Sequence, residues 1–190
     1  LRPRKIAYGT HNIALGPAMT RPQAIQALET GIALIEEEIV AGLDVVCTGD
    51  MGIGNTSPST AIAAAFTGLP IAQIAGRGTG LDDAGLQRKI ALLSQAMQTN
   101  QPNPADPIDV LSKVGGFEIG VLAGVIIGAA ANRRPVIIDG FISTAAALIA
   151  LHLAPAAKDY CLAGHRSAEP GHDLMLDHLG LTPILDLSMR

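Results

Sequence analysis

Aromatic side chains are scarce in this chain: they make up 3% of it, and tryptophan is absent. That removes the stacking platform on which single-stranded nucleic acids are held. Positive charge is not in excess either. Thirteen Lys and Arg stand against 17 Asp and Glu, for a formal net charge of −4, which argues against nucleic acid as a partner. There are two cysteines, Cys47 and Cys161. A disulfide framework needs more of them and a zinc site needs paired spacing. Both sit in apolar runs, so both are expected to be buried free thiols of a reducing compartment. Long apolar runs are also missing. The longest, Ile119 to Ala131, has 13 residues, whereas a membrane-spanning helix needs roughly 20. It reads as a buried helix. With no signal peptide visible, a cytoplasmic protein is expected.

What is present is apolar material and glycine. Hydrophobic residues make up 48% of 190, enough for a sizeable core and too much for disorder. The length predicts one domain over residues 1–190. Thr20 before Arg21-Pro22-Gln23 is a helix start, and Ile25, Leu28, Ile32 and Ile35 keep helical spacing to about Ala41. Leu43 to Cys47 reads as a strand, Ser57 to Phe66 as a helix, and Asp83 to about Gln98 as another. Thr99 to Pro107 is a polar loop and the best candidate for a mobile segment. Val110 to Val114 and Phe117 to Ala131 follow as helices, the second able to pack on a partner or within the domain. Pro135 to Asp139 is a strand, Ser143 to Leu153 a helix, Tyr160 to His165 a strand and turn, Glu169 to Leu179 a helix, and Pro183 to Leu187 a last strand. Such alternation with apolar strands predicts an α/β fold: three α/β/α layers around a mostly parallel, Rossmann-like sheet.

Site residues in open α/β sheets lie just beyond the carboxyl ends of strands. Gly49 to Thr56, Asp139-Gly140 and His165-Arg166-Ser167 hold such places. Gly52-Ile53-Gly54-Asn55-Thr56 before a helix suits a phosphate, because glycine lets backbone amides approach and a helix N-terminus favours anions. It lacks the endings of the P-loop and of the dinucleotide fingerprint, so a purely structural turn stays open. Lys89, one helix on from Gly76 to Gly80, could reach a phosphate or be an ordinary surface lysine. Asp50 could orient a ribose or a base, or cap a turn. Glu118 reads as a first-turn acid that favours the helix dipole. His165, His172 and Asp173 lack a metal-ligand spacing, and Ser167 lacks a nucleophile elbow, which leaves ligand hydrogen bonding as its functional role.

Taken together the loops are specific. Gly49-Asp50-Met51-Gly52-Ile53-Gly54-Asn55-Thr56, Gly76-Arg77-Gly78-Thr79-Gly80-Leu81-Asp82-Asp83, Lys113-Val114-Gly115-Gly116-Phe117-Glu118, Asp139-Gly140-Phe141 and Gly164-His165-Arg166-Ser167-Ala168-Glu169-Pro170-Gly171-His172 occur in that order. The chain resembles the nicotinate-nucleotide–dimethylbenzimidazole phosphoribosyltransferases of cobalamin lower-ligand synthesis. Gly9-Thr10-His11-Asn12 and Gly16-Pro17-Ala18-Met19-Thr20 resemble that family too. The resemblance implies transfer of phosphoribose from nicotinate mononucleotide to 5,6-dimethylbenzimidazole, giving α-ribazole 5′-phosphate and nicotinate. It implies a homodimer and no metal or redox cofactor.

Carried over residue by residue, the resemblance makes Asp50 an auxiliary carboxylate, shorter than the glutamate usual there. Gly52, Gly54, Asn55 and Thr56 would hold phosphate or ribose. Lys89 matches a lysine near the phosphate, and Ser167 matches a serine of the nucleotide site. Gly78 and Gly140 let backbone approach the ligand. The family's general base, a glutamate in a Gly-Glu-Gly segment, would follow Arg190. The chain is therefore expected to be a fragment with negligible turnover, lacking that base and an N-terminal part. Two other readings stand beside it: a non-catalytic nucleotide-binding relative, and a phosphoribosyltransferase with a different acceptor base.

Overall fold

The Gln23 amide donates to the Thr20 hydroxyl at 3.3 Å, and the Thr20 amide donates to Gln23 Oε1 at 3.0 Å. This reciprocal capping box, with Pro22 in the first turn, starts helix α1 (Arg21–Val40) where the sequence predicts it. The computed structural model describes residues 2–78 and 80–189. Leu1, Thr79 of the second glycine-rich loop and the terminal Arg190 lie outside the described residues.

After α1 come β1 (Val46–Cys47), α2 (Thr56–Thr67), α3 (Ile71–Ile74), α4 (Asp83–Asn100), α5 (Pro107–Val114), α6 (Phe117–Ala131), β2 (Val136–Ile138), α7 (Phe141–Leu153), a 3-10 helix (Pro155–Tyr160), β3 (Cys161–Ala163), β4 (His165–Ser167), α8 (Gly171–Leu179) and β5 (Leu185–Met189). Every strand pairing among the described residues is parallel, in the order β1-β2-β3 and, separately, β4-β5. The fold is α/β, as expected, but the strands are short and form two small sheets. The Ile184 and Leu185 amides donate to Ala163 and Gly164 at 2.9 and 3.1 Å, so β5 arrives where β3 passes into β4.

The differences from expectation have local causes. The first strand pairs only from Val46. His165 to Ser167, read as a loop, is a strand because β5 pairs with it. The α4 helix runs on to Asn100, whose side-chain amide donates to the Ile13 and Ala96 carbonyls at 2.7 and 2.9 Å, so the polar loop is shorter. Cys47 is not buried: it is exposed on β1, an outer strand of its sheet. Cys161 is buried as expected and donates to the Ala157 carbonyl at 3.3 Å.

The core lies among the helices. Ile119 and Ile126 of α6, Val110 and Leu111 of α5, and Leu148 and Ile149 of α7 are fully buried. Each such side chain contributes about 1.5–3 kcal/mol by leaving water. Gly120, Gly124 and Gly128 form a stripe on α6 against Ala27, Leu28 and Ile35 of α1. The helix whose partner the sequence leaves open therefore packs inside the chain. The glycines on α6, with Gly31 on α1, let the two backbones come together.

Candidate functional site

Because β1 and β2 are parallel and in register, with Cys47 opposite Ile137, their carboxyl ends release two loops side by side. Thr48 joins them: its amide donates to the Ile137 carbonyl at 2.9 Å, and the Asp139 amide donates to its hydroxyl at 3.3 Å. The β3–β4 connection ends nearby, since the Gly164 amide donates to the Ile138 carbonyl at 2.8 Å. A cavity of about 580 Å³ opens between these loops, within the range of small-molecule sites. Asp50, Gly52 and Thr56 line one wall, Gly78 and Gly80 a second, Asp139 through Ser143 a third, and His165, Ser167 and Glu169 a fourth.

Two helix starts at this cavity suit an anion, beside the carboxylates of Asp50, Asp139 and Glu169. Helices α2 and α7 both begin at its wall, and neither N-cap residue, Asn55 or Gly140, caps with its side chain. Their first amides and positive helix ends are left to a ligand. Behind Thr56 lies Lys89, only 8% exposed. Its Nζ donates to Thr56 Oγ1 at 3.1 Å and to the Gly76 carbonyl at 3.0 Å. Burial lowers its pKa from the ordinary lysine value, while the charge of Glu169 acts in the opposite direction. An ammonium has three protons, so a third remains for an anion. Ser167 Oγ accepts from the Glu169 amide at 3.3 Å, which leaves its own proton free. Ser143 Oγ is buried at the cavity wall without a hydrogen-bond partner.

The carboxylates are arranged differently. Asp139 keeps about half of its side chain in water, and His165 Nε2 stands 3.1 Å from its Oδ1. Asp50 Oδ2 accepts from Asn55 Nδ2 at 2.6 Å. Glu118 comes to the same asparagine. Although much of Glu118 is exposed, the protein crowds its carboxyl, and desolvation raises its pKa. The negative charge of Asp50 adds to that rise, and hydrogen bonds from its own amide and from Asn55 oppose it. Asn55 thus stands between two acids, one of which belongs to the cavity wall.

The structure brings Asp50, Gly52, Thr56, Gly78, Gly140 and Ser167 to one cavity. Lys89 lies one layer behind, through Thr56. Asn55 is buried and braces Asp50. Gly54 does not line the cavity; its φ of +79° shapes the turn. The sequence places Asp139 and His165 on candidate site loops without a ligand role for either side chain, and gives Ser143 and Glu169 none. Asp139 carries the same signal as Asp50, an acid directly after an apolar strand. Ser143 had a signal in its place in the first turn after Asp-Gly. Glu169 has none, since it reads only as the start of a helix and lies between β4 and α8. Among the described residues, no cluster of three or more His, Cys, Asp or Glu is placed to hold a metal. Asp173 instead pairs with Arg166 at 3.0 Å.

Parallel strands with glycine loops at their carboxyl ends, opening on one cavity, define an α/β protein with a candidate ligand site at the strand ends. Comparison with known proteins sharpens this. A family model described as Phosphoribosyltransferase matches residues 1–190, and the chain belongs to that family. It is 59% identical over 187 residues to the nicotinate-nucleotide–dimethylbenzimidazole phosphoribosyltransferase of Desulforudis audaxviator and 56% identical to that of Geobacter sulfurreducens, covering 98% of this chain and 53% of each relative. The crystal structure of CobT from Thermus thermophilus superposes with a TM-score of 0.94 at 41% identity, over 99% of this chain and 56% of that one. The chain thus spans about half the length of these relatives. No described helix is long and apolar enough to cross a membrane.

Proposed function

We propose that this site binds nicotinate mononucleotide and serves phosphoribosyl transfer to a ring nitrogen of a benzimidazole such as 5,6-dimethylbenzimidazole, releasing nicotinate. The observation that carries the reading is the convergence of two uncapped helix starts, α2 and α7, with Ser167 on one cavity backed by the buried Lys89. A phosphate ester satisfies these groups together. The names of the relatives support the same substrates.

The chemistry suits the carboxylates. The C1′–N bond of nicotinate mononucleotide breaks with its electron pair going to the pyridinium nitrogen, so nicotinate leaves with a neutral ring nitrogen. Positive charge develops on the ribose. Asp50 and Asp139 at the wall stabilise that charge and orient the hydroxyls. The benzimidazole nitrogen attacks from the opposite face, which inverts C1′ and gives the α linkage, and its other nitrogen gives up a proton to a base. Positioning and electrostatics supply the catalysis. We propose the roles of Gly52, Gly78 and Gly140 as backbone approaches to the ligand, and of Thr56, Lys89 and Ser167 as the phosphate grip. The same reading carries with it a homodimer in the cytoplasm, checked by light scattering and by fractionation.

Calorimetric titration tests the reading. Nicotinate mononucleotide is expected to bind, its riboside without the phosphate to bind at least about tenfold more weakly, and Ser167→Ala to narrow that difference. Equal affinity for nucleotide and riboside would overturn it. A panel of benzimidazoles, adenine and phenols, titrated by calorimetry in the presence of nicotinate mononucleotide, distinguishes the acceptors.

A further inference from the structure

Two of the loops that form the cavity are tied together behind its wall by one side chain outside the proposed ligand contacts. His172, at the start of α8, is completely buried. Its Nδ1 lies 2.9 Å from the backbone nitrogen of Ser167, which can only donate. Its Nε2 lies 2.9 Å from the hydroxyl oxygen of Thr144, in the first turn of α7. The Thr144 hydroxyl in turn stands 2.9 Å from the Gly140 carbonyl, which can only accept.

These end groups fix every proton in the chain. Ser167 N–H donates to Nδ1, so Nδ1 bears no proton. The Thr144 proton goes to Gly140, so Thr144 Oγ1 accepts, and Nε2 must carry the ring's hydrogen. Only one neutral tautomer satisfies all three bonds. A protonated ring would set N–H against N–H at Ser167, and the other tautomer would do the same while leaving Nε2 facing a hydroxyl with no proton to give. The cationic form is opposed first by burial and then by His165, whose ring centroid is 6.3 Å away, and by Arg166. Asp173 and Asp139 favour it, but burial wins and the pKa falls to about 4.

The two ends of this strut are places where the cavity wall is backbone. Ser167 lines the cavity and receives the ring at its backbone amide, and Gly140 begins α7, whose first turn has no side-chain cap. Gly140 lies beside the strand: a β-carbon there would be in ordinary contact, 3.4 Å from His165 Nε2 and 3.8 Å from the Ser167 β-carbon. Gly171, next to His172, is the wedged position, with a β-carbon only 2.5 Å from Ile74 Cγ2 and 2.8 Å from the Ile74 carbonyl oxygen. The ring is therefore held from behind while it holds the loops in front.

We propose that His172 is a positioning residue of the ligand site: as a neutral imidazole protonated at Nε2, it sets the spacing between the Ser167 peptide and the first turn of α7, and so the grip on a phosphorylated ribose. The proposal rests on the reading of the cavity as a nicotinate mononucleotide site.

Two measurements test it separately from that reading. In the ligand-free protein labelled with 15N-histidine, one buried ring is expected to show a protonated Nε2 and a bare Nδ1 from pH 8 down to about pH 5, and Thr144→Val is expected to shift the Nε2 signal of that ring. A ring protonated at Nδ1, or one that titrates near the ordinary histidine value, overturns the strut. In calorimetry, His172→Phe is expected to weaken nicotinate mononucleotide about tenfold or more, as the loss of a buried hydrogen bond does. His172→Asn returns an acceptor near the Nδ1 position and is expected to recover most of that loss. Unchanged affinity in folded His172→Phe, or no recovery with asparagine, overturns the positioning role. Should His172→Phe fail to fold, Thr144→Val carries the same comparison, with a severalfold loss supporting the role and none overturning it. Failure of the unaltered protein to bind the nucleotide would instead count against the function proposed above, while the ring spectrum still decides the strut.

Discussion

A β-carbon on Gly31 would lie 2.9 Å from the Cα of Gly124, and one on Gly124 would lie 3.0 Å from the Cα of Gly31. The worse clashes are with backbone carbonyls, Val121 O and Leu28 O, each at 2.0 Å. Backbone cannot rotate away as a side-chain end can, so α1 and α6 must part to admit even one methyl. Gly124→Ala gains up to about 1 kcal/mol of helix propensity but overpacks a closed contact, at about 1–3 kcal/mol or more. The net expectation is a lower Tm, by several degrees. Gly16→Ala, with nothing within 4 Å, is the control and should leave Tm within about a degree. Thermal unfolding of both decides it.

Lys89 joins α4 to Thr56 and to the Gly76 carbonyl. Lys89→Met keeps the apolar stem and removes the charge. It is expected to weaken nicotinate mononucleotide by about 10- to 100-fold, the worth of a charged hydrogen bond, with the fold retained. Calorimetry with a circular dichroism control checks this. Undiminished binding would remove Lys89 from the phosphate grip.

His172 makes stability depend on pH in a particular direction. Its pKa falls from the ordinary 6.5 to about 4 on folding, chiefly by burial. Protons then bind the unfolded chain more readily, so the stability this group permits is present above about pH 6.5 and is lost as pH falls toward 4. At about 1.4 kcal/mol per unit, the loss is on the order of 3 kcal/mol. His178, also lowered, by burial first and by His152 second, adds a dependence of the same sign. Urea unfolding at pH 7 and pH 4.5 should show a smaller difference in His172→Asn than in the unaltered protein. An equal difference would assign the acid sensitivity elsewhere.

The carboxyl of Glu118 is raised by desolvation first, and the charge of Asp50 adds to the rise. Asp50→Asn removes that charge while keeping an oxygen to accept from Asn55 Nδ2. Loss of the charge favours the ionised form, so the Glu118 pKa should fall. A carboxyl-carbon NMR titration reads it, and a rise would show that the two acids do not face each other.

The cysteines should part company chemically. Cys47 is exposed, while burial pushes the Cys161 thiol up to about 11. A thiol reagent at pH 8 is expected to take up one equivalent quickly in native protein and the second only on unfolding. Rapid loss of both thiols would contradict the packing of β3.

Much of this architecture is local and so legible in one dimension. Thr20, Pro22 and Gln23 specify the start of α1 through bonds within three residues. Phe117 to Ala131 is predicted to the residue as α6, because its composition permits nothing but a buried helix. Loops rich in glycine after apolar strands mark where a ligand goes, and their order identifies the family. These features depend on neighbours along the chain, and residue type and spacing are sufficient to encode them.

Contacts between distant segments were decided elsewhere. Whether α6 meets a partner or its own α1 depends on Gly31 and Gly124 arriving opposite each other, some 90 residues apart in the chain. Lys89 stays open between a phosphate contact and a surface residue until α4 folds back over Thr56, and Cys47 reads as buried until β1 becomes an outer strand. His172 has no function in a linear reading, since both of its partners come from other elements. Spacing along the chain determines which faces are apolar and where turns fall. Which polar atom meets which, and hence where protons and charges reside, is settled only when the packed backbone leaves each buried donor one acceptor.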